Sequence, residues 1–211
     1  MLQIHEIYKS IQGESTYAGL PCIFVRLTGC NLRCKWCDTP QAFFGGKEMS
    51  IAQILTHTAE MNCKLIEITG GEPLLQDAVY PLMQKFLERG DRVLLETSGS
   101  ISLEQVPSDV IKIMDLKCPA SGESEKNLFE NLKLLSPADE IKFVIADRAD
   151  YDWCKEQIKC FSIPQNQVLF SSVCDRLELK DLAKWILEDG LNVRLQAQLH
   201  KFIWDKNAVG C

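Results

Sequence analysis

"CNLRCKWCDT" (Cys30–Thr39) places three cysteines within eight residues, in a C-x3-C-x2-C pattern with no fourth cysteine beside them. Soft thiolates at such short spacing bind zinc or iron–sulfur clusters. A closed structural zinc site takes four protein ligands, usually as two pairs. The chain offers no second pair, and its histidines, His5, His57 and His200, stand at no finger-like distance. An iron–sulfur cubane on three cysteines leaves one iron without a protein ligand. An open iron is a place for a substrate or cofactor to coordinate. A zinc knuckle that borrows a distant His or Cys is the competing reading of the same residues.

Working outward, the run "CIFVRLTG" (22–29) reads as a strand that ends at the first cluster cysteine. "KLIEITGG" (64–71), "RVLLETSG" (92–99), "IKIMDLK" (111–117), "EIKFVIA" (140–146), "QVLFSS" (167–172) and "NVRLQAQ" (192–198) share its character. Helical periodicity falls between them. Leu75, Ala78, Val79, Leu82, Met83, Phe86 and Leu87 form one stripe with Gly90 as its stop, and Leu179, Leu182, Ala183 and Ile186 form another. A shorter helix is expected around Leu128, Leu132 and Leu135. Ser50, ahead of Ile51, Ile54, Leu55 and Thr58, has Gln53 placed for a capping box. Alternating strands and helices imply parallel strands joined by right-handed crossovers. The expected fold is α/β, a partial, open (β/α) barrel of about six parallel strands. No repeat, low-complexity tract or linker divides the chain, so one domain over 1–211 is expected. Chemistry in such barrels gathers at the C-terminal strand ends. Here those ends read "TGCNLRC", "TGGEP", "ETSGS", "DLKCP" and "FSS", more polar and glycine-rich than turning alone requires.

At 211 residues, 46% hydrophobic and 25% charged, the chain can bury a sizeable core. The formal charge of −6 speaks against a general nucleic-acid binder. No apolar run approaches the ~18 residues of a membrane span, and "MLQIHEIYKS" has no leader character. A cytoplasmic location is expected, where thiols stay reduced. Most of the other seven of the ten cysteines (Cys22, Cys63, Cys118, Cys154, Cys160, Cys174 and Cys211) are then read as buried packing thiols.

The cysteine spacing, with Trp36 before the last cysteine, resembles the signature of the radical S-adenosylmethionine superfamily. The resemblance implies a radical SAM core and a [4Fe-4S] cluster on Cys30, Cys34 and Cys37. The amino and carboxylate groups of S-adenosylmethionine would chelate the free iron. One electron through the cluster then cleaves the sulfonium to a 5′-deoxyadenosyl radical. "TGGEP" (69–73) stands where the superfamily has its methionine-binding element. Gly70 and Gly71 let backbone approach the cofactor, and Glu72 is expected to pair with its ammonium group.

The lead "S-x-Q-G-E" followed by "F-V-R-L-x-G-C-N-L-x-C-x-W-C-D-T" looks like the 7-carboxy-7-deazaguanine synthase family of queuosine and 7-deazapurine biosynthesis. "DLKCPASGE" (115–123) and "QLHKFIW" (198–204) look like it too, so the resemblance runs nearly end to end. It implies a carbon–nitrogen lyase that contracts the ring of 6-carboxy-5,6,7,8-tetrahydropterin. It also implies Mg²⁺, a homodimer and an electron donor such as flavodoxin, with no direct nucleic-acid partner. Arg26 would bind the substrate carboxylate, since a guanidinium fork suits one. Ile11, Gln12, Gly13, Glu14 and Thr97 would contact the pterin. Trp36, Cys37, Asp38, Gly99 and Lys117 would lie along the cofactor. Thr39 would lend its hydroxyl to Mg²⁺, and Cys211 its α-carboxylate to the substrate. His200 reads equally as a site residue or a structural histidine, and Ser171 and Asp175 stay unassigned. The rival readings are a glycyl-radical activase, an iron–sulfur electron carrier and a zinc-stabilised binding module.

Overall fold

The computed structural model describes residues 1–204 and residue 210. In chain order its strands and α-helices are β1 (Leu2–Ile11), β2 (Pro21–Leu27), β3 (Lys47–Met49), α1 (Ile51–Glu60), β4 (Leu65–Gly70), α2 (Val79–Glu88), β5 (Arg92–Thr97), β6 (Ile111–Asp115), β7 (Glu140–Ile145), α3 (Arg148–Cys160), β8 (Val168–Ser172), α4 (Leu179–Glu188), β9 (Arg194–Leu195) and α5 (His200–Ile203). They form one nine-stranded sheet in the order β3-β1-β2-β4-β5-β6-β7-β8-β9. From β2 through β9 every neighbouring pair is parallel, whereas β1 runs antiparallel to both β2 and β3. The sheet ends in β3 and β9 and does not close, so the open (β/α) barrel expected from the sequence is present.

Strand alternation gives the sheet two faces. On the helix side Ile23, Val25, Leu27, Ile66, Ile68, Val93 and Leu95 pack with Leu82, Met83 and Phe86 in the main core. Burying each such side chain stabilises the fold by roughly 1.5–3 kcal/mol. On the concave side a smaller apolar layer, Cys22, Phe24, Leu65, Leu94 and Ile113, fills the bottom of the barrel. Tyr8 stacks on Phe24 at 5.1 Å between ring centroids. Above that layer the concave face is charged, and the site lies there.

The capping box of α1 is present, with Ser50 Oγ accepting from the Gln53 amide at 3.2 Å and Gln53 Oε1 from the Ser50 amide at 2.8 Å. Other expectations need correction. Leu75 is not on α2, because Pro73 starts a separate 3-10 turn over Pro73–Leu75 and Leu75 itself is exposed. The stretch around Leu128 and Leu132 is a 3-10 helix, Phe129–Leu134, rather than an α-helix. The antiparallel strands β1 and β3 and the longest helix, α3, were not anticipated. Asp147 caps α3 by accepting from the Asp150 amide at 2.9 Å, but its buried stripe of Tyr151, Cys154 and Ile158 is narrow in a polar segment. Of the seven scattered cysteines, Cys22, Cys118 and Cys154 are buried, whereas Cys160 and Cys174 are exposed. Cys211 lies outside the described residues. No helix among the described residues is long and apolar enough to cross a membrane.

Candidate active site

The C-terminal ends of the parallel strands open into a cavity of about 710 Å³. The cysteine loop forms one wall, and Cys30, Cys34 and Cys37 all line the cavity, each half-buried. Backbone contacts fix the loop: the Lys35 amide donates to Ser121 O at 3.1 Å and the Cys37 amide to Cys34 O at 3.2 Å. Arg33 Nη1 donates to Cys30 O at 2.8 Å, while Leu32 is buried beneath. Burial pushes all three thiols up, Cys34 to about 11, and the Lys117 ammonium opposes that shift at each. A bound cation would complete what Lys117 begins, since coordination deprotonates a thiol outright. No group of three or more His, Cys, Asp or Glu among the described residues converges on a single-ion position.

The loop after β4 forms the second wall. Gly70 and Gly71 line the cavity as expected. They must be glycine, because a Cβ would stand 2.3 Å from Leu27 O at Gly70 and 2.3 Å from Gly29 O at Gly71. The Glu72 amide donates to Gly29 O at 2.8 Å, locking this loop to the cysteine loop. Glu72 is placed otherwise than the sequence suggests. Its carboxylate is fully buried and accepts from the Leu74 amide (3.1 Å), the Ser98 amide (2.8 Å), Ser98 Oγ (2.6 Å) and Thr97 Oγ1 (2.9 Å). It ties the β4 and β5 loops together instead of facing an ammonium group in the cavity. Thr97 borders the cavity, and its hydroxyl donates to Glu72. Gly99 (φ +68°) packs where a Cβ would meet Met114, and its carbonyl accepts from Leu128 and Asn131, away from the cavity.

Arg26 lines the cavity from β2, the strand beside β4. Its Nε donates to Glu6 Oε1 at 2.8 Å and one terminal nitrogen to Tyr8 Oη at 2.9 Å. These partners outweigh the burial that works against its charge and hold it firmly protonated. The fork is therefore clamped from behind by β1. Gln12 also lines the cavity; it is 3% exposed, and its side chain is hydrogen-bonded within the protein. Its Nε2 donates to Glu67, its Oε1 accepts from the Glu14 amide at 3.1 Å, and its backbone exchanges bonds with Gly19 and Leu20. Gln12 thus holds Glu67 and the Glu14 amide while it lines the cavity. Ile11, Gly13, Glu14, Trp36, Asp38, Thr39, Lys117 and His200 all line the cavity. Gly13 lies so close to α5 that a Cβ would stand 2.3 Å from His200 Nδ1. Leu199 N to Gly13 O (2.9 Å) and Gln198 Nε2 to Glu14 (2.8 Å) hold the C-terminal segment over this edge. Thr39 Oγ1 donates to Asp38 Oδ1 at 3.0 Å. Ser171 is buried with no partner for its hydroxyl among the described residues, and Asp175 borders the cavity.

Sequence reasoning missed Lys142, Glu96 and Asp115 in the charged layer above the apolar floor. Lys142 on β7, 4% exposed, donates to Glu96, to Glu14 Oε2 (2.7 Å) and approaches Asp115 Oδ2 at 3.5 Å. Lys117 pairs with Asp115 at 2.9 Å. Burial disfavours the charge on Glu96, but Lys142 overcomes it and holds that carboxyl well below the usual range. Burial likewise works against Lys142, and Glu14, Glu96 and Asp115 together raise it well above the usual ammonium range. A signal did exist: "KLIEITGG", "RVLLETSG" and "EIKFVIA" each carry a charge inside an apolar strand.

Residues 24–116 match the Radical SAM superfamily. The 7-carboxy-7-deazaguanine synthase of Koribacter versatilis is 48% identical over 225 aligned positions, covering 99% of this chain and all of that protein. The chain belongs to the 7-carboxy-7-deazaguanine synthase family. The family member of Chlorobaculum tepidum is 43% identical, covering 99% of this chain and 97% of its own. Among solved structures, QueE from Escherichia coli superposes with a TM-score of 0.72 at 23% identity, over 94% of each chain, which shows the shared fold. The family name these relatives carry disfavours the activase reading. Family membership implies a four-iron cluster and S-adenosylmethionine. The three cavity-lining thiols, the cation beside them and the glycine cradle of the β4 loop fit both groups.

Proposed function

We propose that this chain converts 6-carboxy-5,6,7,8-tetrahydropterin to 7-carboxy-7-deazaguanine with loss of ammonia, in queuosine or 7-deazapurine biosynthesis, as a single domain. The observation that carries this reading is that the cysteine triplet and the Arg26 fork open into one cavity. When bound, the cluster and S-adenosylmethionine supply one-electron cleavage of the sulfonium and hence hydrogen-atom abstraction from the substrate. The chain's own residues do the rest. Cys30, Cys34 and Cys37 hold the cluster. Gly70 and Gly71 bring backbone against S-adenosylmethionine, and Trp36, Asp38 and Lys117 line its course. Arg26, held from behind by Glu6 and Tyr8, binds the substrate carboxylate through its remaining donors. Ile11, Gly13 and Glu14 border the pterin, with Glu14 oriented by Lys142 and Gln198.

Thr39, half-buried at the cavity edge, is the proposed protein oxygen for Mg²⁺. That cation keeps several waters and takes oxygens from its substrate. The metal would steady charge that develops during ring contraction. A homodimer, a flavodoxin-type electron donor and a role for the Cys211 carboxylate complete the proposal; Gly210 lines the same cavity.

The test is anaerobic. Protein reconstituted with iron and sulfide receives S-adenosylmethionine, Mg²⁺, reductant and 6-carboxytetrahydropterin, and product is followed by mass spectrometry. Deazaguanine formed over many turnovers without matching loss of S-adenosylmethionine supports the reading. Deoxyadenosine without deazaguanine would leave the radical chemistry and remove the substrate.

A further inference from the structure

Charge on the concave face is unbalanced. Among its charged groups are the carboxyls of Glu14, Glu67, Glu96 and Asp115 and the ammonium groups of Lys117 and Lys142. Lys142 serves Glu14, Glu96 and Asp115, and Lys117 serves Asp115. Arg26 is engaged by Glu6. Glu67 joins no ion pair among the described residues; its partner is the neutral amide of Gln12. It is 4% exposed and lies one pleat deeper than Thr69, which pairs in register with Arg26. At its own level its register neighbours are Phe24 and Leu94, members of the apolar floor. An ionised carboxylate there would be a buried charge with only an amide donor, a state that proteins avoid by keeping the proton. Burial first, then the charges of Glu96 and Glu14, raise Glu67 well above the carboxylate range. Gln12 Nε2 donates to Oε2, which leaves Oε1 to carry the proton.

We propose that Glu67 enters each turnover as a neutral carboxylic acid and gives its proton to the nitrogen that leaves as ammonia. This rests on the function proposed above. Comparison of substrate and product shows which nitrogen is lost: the ring nitrogen bonded to the carboxyl-bearing carbon. Arg26 is placed for that carboxyl, and Glu67 borders the cavity one pleat below the rung that carries Arg26. The step balances. Ring contraction first exchanges one of the two carbon–nitrogen bonds of that ring nitrogen for the new carbon–carbon bond, giving an isomeric amine. The remaining carbon–nitrogen bond then breaks with its electron pair on nitrogen, and nitrogen takes the Glu67 proton. As the five-membered ring becomes aromatic, a carbon–hydrogen pair becomes a ring double bond, and that proton restores Glu67. Ammonia is the net loss, and no oxidant is needed.

Around Glu67 stand Glu6 and Tyr8 of β1, Cys22 and Arg26 of β2, Glu14, Glu96, Asp115 and Lys142. Burial pushes Tyr8 and Cys22 up, and the carboxylates hold Lys142 high, so these groups keep their protons through the neutral range.

The experiment combines infrared spectroscopy with isotope transfer on the reconstituted enzyme. Wild-type protein should show a carboxylic-acid carbonyl band at neutral pH that is absent from Glu67→Gln and shifted in Glu67→Asp. With substrate deuterated at C6, Glu67→Gln should still pass deuterium to S-adenosylmethionine or deoxyadenosine. Its ammonia release should fall by about a hundredfold or more, the span of general acid catalysis. Glu67→Asp, which keeps an acid, should recover most of that loss. Three results would overturn the proposal: no such band in wild type, normal ammonia release by Glu67→Gln, or parallel loss of deuterium transfer and ammonia release in that variant. Wild-type enzyme that yields neither deuterium transfer nor ammonia would instead sink the reaction assignment, and the proton role with it.

Discussion

Replacing Lys142 with methionine keeps most of the length of the side chain and removes an ammonium that three carboxylates share. The lysine side chain is 5% exposed, against 15% for Glu14 and 29% for Glu96. Removing one partner of a buried pair costs about 3–5 kcal/mol. Solvent reaches the carboxylates in part, which sets the expected loss near the low end, about 3 kcal/mol. For a chain of this size that corresponds to a melting temperature lower by roughly 6–12 °C at neutral pH. The pH dependence has a definite sign. Lys142 is raised in the folded state, so its contribution is complete below its unfolded pKa and is lost only at high pH. Glu96 is depressed, so its contribution is present above the ordinary carboxylate pKa and is lost as pH falls through the lower folded value. The gap between wild type and Lys142→Met should therefore narrow below about pH 4. Thermal unfolding followed by circular dichroism at pH 7 and in mild acid measures both quantities. Adding Glu96→Gln to the variant should restore at least half of the lost stability, because it removes a stranded charge. A variant that melts with wild type at neutral pH, or a gap that stays constant in acid, refutes the reasoning.

Arg26→Ala should keep the brown cluster and S-adenosylmethionine binding while weakening substrate binding by about 10- to 100-fold, the worth of charge-assisted hydrogen bonds. A normal apparent substrate affinity would take Arg26 out of that role. Cys34→Ala should lose the visible absorption and bound iron of the reconstituted protein; full retention of iron would mean that this thiol is not a ligand. Ser50→Ala removes the reciprocal cap of α1 and should cost about 1 kcal/mol, roughly 2–4 °C by calorimetry. An unchanged melting temperature would show the capping bonds to be energetically idle.

The legible parts of the site were those whose meaning is local. Cys30, Cys34 and Cys37 share one loop, Gly70 and Gly71 share one turn, and the cavity collects all five. The less legible parts were polar groups whose partners are distant. Glu72, read as a ligand for an ammonium group, is saturated by Thr97 and Ser98, and Gln12, which lines the cavity, also donates to Glu67. Helix α3 escaped notice because its apolar stripe is three residues in a polar segment.

The sequence by itself determined the parallel α/β frame, the cysteine wall and the family. Strand periodicity, capping and ligand spacing are encoded over a few residues, and a chain read in order displays them. Only the tertiary structure decided which charges meet. Glu96 and Lys142 are 46 residues apart, and they touch because parallel register sets β5, β6 and β7 side by side with their charged pleats facing inward. A carboxyl in such a place takes its protonation from its neighbours, so the character of Glu67 belongs to the fold rather than to its own stretch of sequence.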